Sequence, residues 1–310
     1  MRHAADGPAR LSIAICSHNR GRQTERCLAA LAPLPEGVET IVIDSGSAPE
    51  QAETIRAAAA RHGARHLRLP TPGLSEARNA ALATARGGWI AYLDDDATPW
   101  PDWCAVLLRT IAADPDLAAT GGLILPQWQA QLPGWWPPAL RAVLTIIDPP
   151  CPEDAGAAGL DPYGANIAFR RDVLTRLGGF PTCLGRRGRL MISNEETYVL
   201  RRLRQGGLRV RFTPDLVVYH EIDRARLNPV WLVGRQYWSG VSEAVMLGAL
   251  GEKRLGRALR FLLHALLLAP LGLWPAASTA QIGLRCKAAY ARGFLRGALG
   301  EGSGADTALP

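Results

Sequence analysis

The chain has no paired-cysteine motif. Its six cysteines, Cys16, Cys27, Cys104, Cys151, Cys183 and Cys286, are scattered, with no CxxC pair and no Cys/His spacing that suits zinc. That excludes a legible disulfide framework and makes a reducing compartment the default. Residues Met1 to Arg10 contain no apolar h-region, so a cleaved secretion signal is not expected and the cytoplasmic side is. No GxGxxG follows the first apolar run, which counts against nicotinamide-dinucleotide chemistry. Basic and aromatic residues do not interleave along one element, and nucleic acid is not an expected partner. A clean membrane span is also lacking. The apolar stretch from Phe261 to Ala277 is about 17 residues, the lower limit for a span, and His264, Pro270 and Pro275 interrupt it.

What is present is enough for a core. At 310 residues and 48% hydrophobic, the chain suits one large α/β domain with a smaller appendage. The formal charge of +7 favours an acidic partner, but a nucleotide diphosphate or an anionic membrane satisfies that equally well. Apolar β-forming runs alternate with helical patterns: a strand at Leu11 to Cys16, a helix at Arg22 to Leu31, a strand at Glu39 to Asp44, and a helix at Pro49 to His62. A third strand lies in ARHLRLP, a helix spans Leu74 to Arg86, and a fourth strand in GGWIAYLDDD ends in three carboxylates. This is a Rossmann-like, mostly parallel α/β sheet flanked by helices.

Open parallel sheets bind ligands where the carboxyl ends of their strands meet. Three strand ends here are polar: Ser17, His18, Asn19 and Arg20; then Asp44, Ser45 and Gly46; then Asp94, Asp95 and Asp96. Three unpaired carboxylates cannot all enter a core. Strand alternation sends Asp94 and Asp96 to one side and Asp95 to the other, so two hard oxygen donors can share a Mg²⁺ or Mn²⁺ ion with substrate phosphates. An isolated DDD is more often a solvated turn, and the surrounding motifs decide between the readings.

Those motifs are CSHNR, IDSGS, GLSEARNAA and YLDDD, in that order. Together they resemble the GT-A glycosyltransferases of family 2, over roughly Leu11 to Gly240. The resemblance implies a GT-A fold and transfer of a sugar from a nucleotide-diphosphate donor to a hydroxyl acceptor, metal-assisted and with inversion. It implies that Asp44 holds the base or ribose, and that Ser17, Asn19, Arg20 and Ser45 line the same donor pocket. Arg78 and Asn79 would sit near the diphosphate or sugar, and Arg78 has an ion pair with Glu76 or Asp94 as its structural alternative. Asp94 and Asp95 would contact the donor, with Asp94 and Asp96 on the metal.

Sugar transfer to a hydroxyl needs a base for the acceptor proton. In SNEETYVLRRLRQGG, Glu195 and Glu196 precede a helix whose Val199, Leu200 and Leu203 face inward. Carboxylates at a helix start also cap it, but the resemblance places a catalytic carboxylate there, with Glu196 in the position of the usual aspartate and Glu195 as the alternate. The segment YGANIAFRR resembles the family's acceptor-side segment, where Gly164 and Asn166 would shape the pocket, although Asn166 could equally bridge backbone groups. His220 ends a later strand, where a lone histidine is more often structural; the resemblance places one on the metal or against the diphosphate, and a neutral imidazole is a competent ligand.

The domains expected are a tail over 1–10, a catalytic domain over 11–223 divided near 125, a helical region over 224–297, and a disordered tail over 298–310. Lys253, Arg254, Arg257 and Arg260 lead into the apolar stretch, which reads either as a segment lying in the cytoplasmic leaflet at the inner face of the plasma membrane or as a buried helical pair. The first implies a lipid-linked acceptor handled at the membrane; a soluble glycan acceptor is the alternative. Two competing functions are a catalytically inactive, membrane-associated nucleotide-sugar-binding protein of the same fold and a sugar-phosphate nucleotidyltransferase, whose Gly-rich, Arg-containing first loop is absent here.

Overall fold

A computed structural model describes residues 10–149, 160–254, 256, 257, 261 and 278–300. The chain groups into two compact units. One comprises Met1–Gln127, Thr145–Phe180 and Val199–Glu221; the other comprises Trp128–Leu144, Pro181–Tyr198 and Ile222–Pro310. The first unit ends at Glu221, and two earlier segments, Trp128–Leu144 and Pro181–Tyr198, group with the C-terminal helices.

Four strands of the first unit, β1 (Leu11–Ser17), β2 (Val38–Ser45), β3 (Arg65–Leu69) and β4 (Trp89–Asp94), pair in parallel. Helices α1 (Gly21–Leu31), α2 (Pro49–Arg61) and α3 (Leu74–Thr84) connect them. Strands covered on both faces must be apolar along their whole length, and Leu11, Ile13, Ala14, Ile15, Ile41, Val42, Ile43 and Ile90 through Leu93 are buried. Helix α1 contributes Cys27, Leu28 and Leu31 to this core, and α2 contributes Ile55, Ala58 and Ala59. Pro49 at the start of α2 and Glu50 in its first turn suit a helix N-terminus.

Beyond β4 the sheet becomes antiparallel. Strands β5 (Ala97–Pro99), β6 (Leu117–Trp128), β7 (Asn166–Arg170) and β8 (Arg209–Ile222), with helices α4 (Trp103–Ala113) and α5 (Arg171–Arg176), complete the order β3-β2-β1-β4-β7-β6-β8-β5. Strand β7 runs against β4 and β6, and β5 against β8. The sheet is therefore mixed, parallel in the half carrying the first three strand ends. At three residues, β5 is too short for its own sequence to announce it; pairing with β8 creates it.

Asn166 sits at the junction of the antiparallel half and is fully buried. Its amide nitrogen donates to the carbonyls of Leu123 (3.0 Å) and Leu216 (2.8 Å), and its oxygen accepts from the Trp103 indole (2.9 Å). One side chain thus ties β7 to β6, β8 and α4. Substitution Asn166→Ala strands two buried carbonyls and an indole N–H and leaves a void. We expect a loss of about 3 kcal/mol or more, read as a lower urea midpoint with an unchanged m-value.

The second unit contains α7 (Pro229–Ala249) and α8 (Thr279–Ala298), and the first turn of α6 (Glu195–Gln205) belongs to it. Asn228 caps α7 by accepting from the Trp231 amide, and Ser278 with Gln281 forms a capping box on α8. The two helices approach through glycines: a Cβ at Gly240 would strike the Tyr290 carbonyl, and one at Gly293 the Tyr237 carbonyl. Leu184, Ile192, Trp238, Val241 and Met246 form an apolar cluster in this unit. Among the described residues no helix is long and apolar enough to cross a membrane. Apart from Phe261, the stretch to Ala277 lies outside the described residues, as does the expected tail beyond Gly300.

Candidate active site

Parallel register brings the polar strand ends of the first unit side by side. Ser17 pairs with Asp44, and Cys16 with Asp94. Asp94 closes β4, and Asp95 and Asp96 turn the chain into β5. Because β5 pairs with β8, Ala97 lies opposite His220, and the Glu221 amide donates to the Asp96 carbonyl at 3.0 Å. The side chains of Asp94, Asp96 and His220 consequently converge, each offering a ligand atom within 4.8 Å of the others.

Each carboxylate of the run has a distinct environment. Asp96 places Oδ1 3.2 Å from His220 Nε2 and Oδ2 2.6 Å from Arg20 Nη1. Asp95 points elsewhere, accepting from Ser17 Oγ (2.7 Å) and Arg20 (3.0 Å), while Thr24 donates to Ser17 Oγ (2.9 Å). Burial drives the Asp95 carboxyl up, to about 7, against the opposing pull of Arg20. Burial alone would lower the Arg20 guanidinium, but Asp95 and Asp96 outweigh it and hold Arg20 above its ordinary value. Arg20 and Ser17, expected to line a nucleotide pocket, are here bonded to the carboxylate cluster.

Asp94 is 3.5 Å from Arg78 Nη2. Arg78 is buried rather than on a helix surface: only 3% of it is exposed, and its guanidinium lies over the rings of Tyr92 and Phe180. The Tyr92 hydroxyl donates to the Arg78 carbonyl at 3.0 Å, and the absent side chain of Gly164 leaves the room the guanidinium occupies. A cation is thereby held at the end of β4, in room that Gly164 leaves.

Asp44 is fully buried at the end of β2. Its Oδ1 accepts from the Ser47 amide (3.0 Å); its Oδ2 lies 3.4 Å from Arg68 Nε but receives no hydrogen bond. Arg68, which the sequence did not single out, also donates to the Ser47 carbonyl. Its partnership with Asp44 becomes visible only once β2 and β3 are paired, which sets Asp44 opposite Arg68.

Several of the expected donor residues hydrogen-bond within and between the loops. Asn19, at φ +59°, accepts from the Ala48 amide and donates its own N–H to Ser47 Oγ, joining the β1 and β2 loops. Ser45 Oγ donates to the Gly73 carbonyl and accepts from the Gly73 amide. Asn79 brackets Phe180, donating to its carbonyl and accepting from its amide, both at 2.8 Å. Asn166, expected at the acceptor side, is committed to the core as described. His18 is tied to the Ser45 carbonyl.

In the second unit, Glu195 and Glu196 occupy the first turn of α6. Glu195 is 3% exposed; Glu196 is half-buried. The preceding Asn194 has φ +74°, a left-handed conformation that asparagine tolerates better than most residues. As expected, Val199, Leu200 and Leu203 of this helix are buried.

The donor set of the first unit, two carboxylates with one imidazole, suits Mg²⁺ or Mn²⁺, and His220 Nδ1 has no hydrogen-bond partner. Comparison with known proteins shows the family and the fold. Across most of its length the chain resembles a glucosyl-dolichyl phosphate glucuronosyltransferase from Haloferax volcanii, 29% identical over 247 residues, covering 76% of this chain and 77% of that one. It also resembles the succinoglycan biosynthesis protein ExoM of Rhizobium meliloti, 26% identical over 76% of this chain and 75% of the relative. Its fold is that of the Pyrobaculum calidifontis mannosyltransferase PcManGT, solved with GDP-Man and Mn²⁺ (TM-score 0.56, 20% identity, 98% of this chain and 77% of the other). Residues 12–177, more than half of the chain, match the family described as glycosyl transferase family 2, and the chain belongs to that family.

Proposed function

We propose that this glycosyltransferase moves a sugar from a nucleoside-diphosphate donor to a hydroxyl by a single displacement with inversion. The observation that carries the reading is the convergence of Asp94, Asp96 and His220 beside Arg20 and Arg78. Asp94, Asp96 and His220 would hold Mg²⁺ or Mn²⁺, which neutralises the charge gathering on the departing diphosphate. Arg78 adds a fixed positive charge at the same strand end. Asp44, with an oxygen awaiting a donor, receives an N–H or O–H from the base or ribose, and Arg68 holds it in place. Glu196 takes the acceptor proton, with Glu195 as the alternate.

For the acceptor we infer a lipid-linked sugar or a growing glycan, reached through peripheral contact with the inner face of the membrane. Support comes from the relatives, one a glucosyl-dolichyl phosphate glucuronosyltransferase and one a succinoglycan biosynthesis protein. Calorimetric titration with UDP, GDP and dTDP, with and without Mn²⁺, tests the donor half. We expect tight binding of one nucleotide, weakened at least tenfold without metal. No binding of any nucleotide would leave a retained fold without the activity.

A further inference from the structure

The turn that carries the acid pair is fastened from α7. Arg235 donates through Nη1 to the Met191 carbonyl (3.3 Å) and through Nη2 to Ser193 Oγ (3.0 Å). One helical turn pair later, Ser242 Oγ accepts from the Ser193 amide (2.9 Å) and is itself fixed by donating to the Trp238 carbonyl (2.7 Å). The next residue is Asn194 in its left-handed conformation, and after it come Glu195 and Glu196. A strained conformation persists only where its surroundings over-determine it, and these bonds supply that constraint.

The charges agree with the hydrogen bonds. Within this unit the Arg235 guanidinium experiences Glu195 and Glu196 as favourable neighbours and Arg186 and Arg226 as unfavourable ones. Burial, the largest influence, works against its charge. A buried cation among other cations would cost free energy unless anions accompany it. Arginine also matters by shape: its planar fork serves two acceptors at once, whereas a lysine ammonium is a point charge on a flexible stem.

From this geometry we propose that Arg235 is a positioning residue for sugar transfer, clamping the Met191–Ser193 segment so that the acid pair at the start of α6 is held in its working place. This rests on the reading of Glu196 or Glu195 as the base. The test compares the full-length protein with Arg235→Ala, Arg235→Lys, Glu196→Gln and Glu195→Gln. Turnover is read as UDP or GDP released from the nucleotide-sugar, nucleotide affinity by calorimetry with Mn²⁺, and amide exchange over residues 191–196 by mass spectrometry.

For Arg235→Ala we expect turnover to fall about 100-fold, within the range a misplaced base would cost, with nucleotide affinity within about twofold. Exchange over 191–196 should be at least about tenfold faster, and millimolar guanidinium should restore part of the turnover. Arg235→Lys should fall between the two. Unchanged turnover, unchanged exchange, or turnover lost only in step with nucleotide affinity would overturn the proposal. If Glu196→Gln loses turnover while Arg235→Ala keeps it, the base reading stands and the clamp falls. If both glutamate variants keep full turnover, the base reading fails and takes this role with it.

Discussion

Replacing Asp96 with alanine removes metal-dependent nucleotide binding and lowers transfer by about three orders of magnitude, equivalent to roughly 4 kcal/mol of lost transition-state stabilisation. The size follows from how many partners meet at this side chain. One oxygen faces His220 Nε2 and the other Arg20 Nη1. Without it Asp94 and His220 are left as a two-residue donor set, and Arg20 keeps its bond to Asp95. Two effects would therefore combine: a divalent ion would lose a hard oxygen donor, and a cation beside the proposed diphosphate site would gain freedom to move. Asp96→Asn separates them, since it keeps the shape and a carbonyl oxygen but removes the charge. It should retain the fold, shown by a melting temperature within a few degrees of wild type, while still losing at least about 100-fold in transfer. Isothermal titration with and without Mn²⁺ decides the matter. Metal-dependent affinity that survives in Asp96→Ala would remove this residue from the metal site.

Glu196→Gln should leave nucleotide affinity within about twofold and reduce transfer by about 10²- to 10⁴-fold, the usual contribution of a positioned general base. Glutamine matches glutamate in volume and can still accept a hydrogen bond at the helix start, so folding should be little affected; only the ability to take a proton is lost. Glu195→Gln is the necessary companion. Glu195 is 3% exposed, whereas Glu196 is half-buried, and a base must reach an incoming hydroxyl. On that ground the larger kinetic loss belongs to Glu196, and Glu195→Gln should instead show itself mainly in stability. Steady-state rates with urea denaturation of both variants distinguish the two roles. A Glu195→Gln enzyme that folds normally and is the slower of the two would reverse the assignment.

The parallel half of the sheet was legible because its signals are local. LSIAIC and ETIVID are apolar runs with no room for another reading, and Ala-rich amphipathic segments follow them at crossover spacing. The carboxylate run was legible for the same reason: charged residues ending a buried strand have to be accounted for by solvent or a cation. The intramolecular partners of the asparagines were not. Asn79 and Asn166 occupy motif positions, and the amide of the first bonds the Phe180 backbone while that of the second bonds Leu123, Leu216 and Trp103. Nothing in a one-dimensional pattern distinguishes an amide that meets a ligand from one that satisfies distant backbone groups.

The sequence by itself determined that this is an α/β chain with polar strand ends, that Asp94 and Asp96 differ from Asp95, and that carboxylates begin a later helix. Each of those follows from hydrophobic period, strand alternation or composition within a short window. Only the tertiary structure decided which residues share a site. His220 joins Asp94 and Asp96 because a three-residue strand pairs antiparallel with β8, Arg68 reaches Asp44 because β3 lies beside β2, and Arg78 is buried because Gly164 leaves it space. Those associations depend on strand order and register, which are set by long-range pairing and packing across the whole core and so have no signature at any single position.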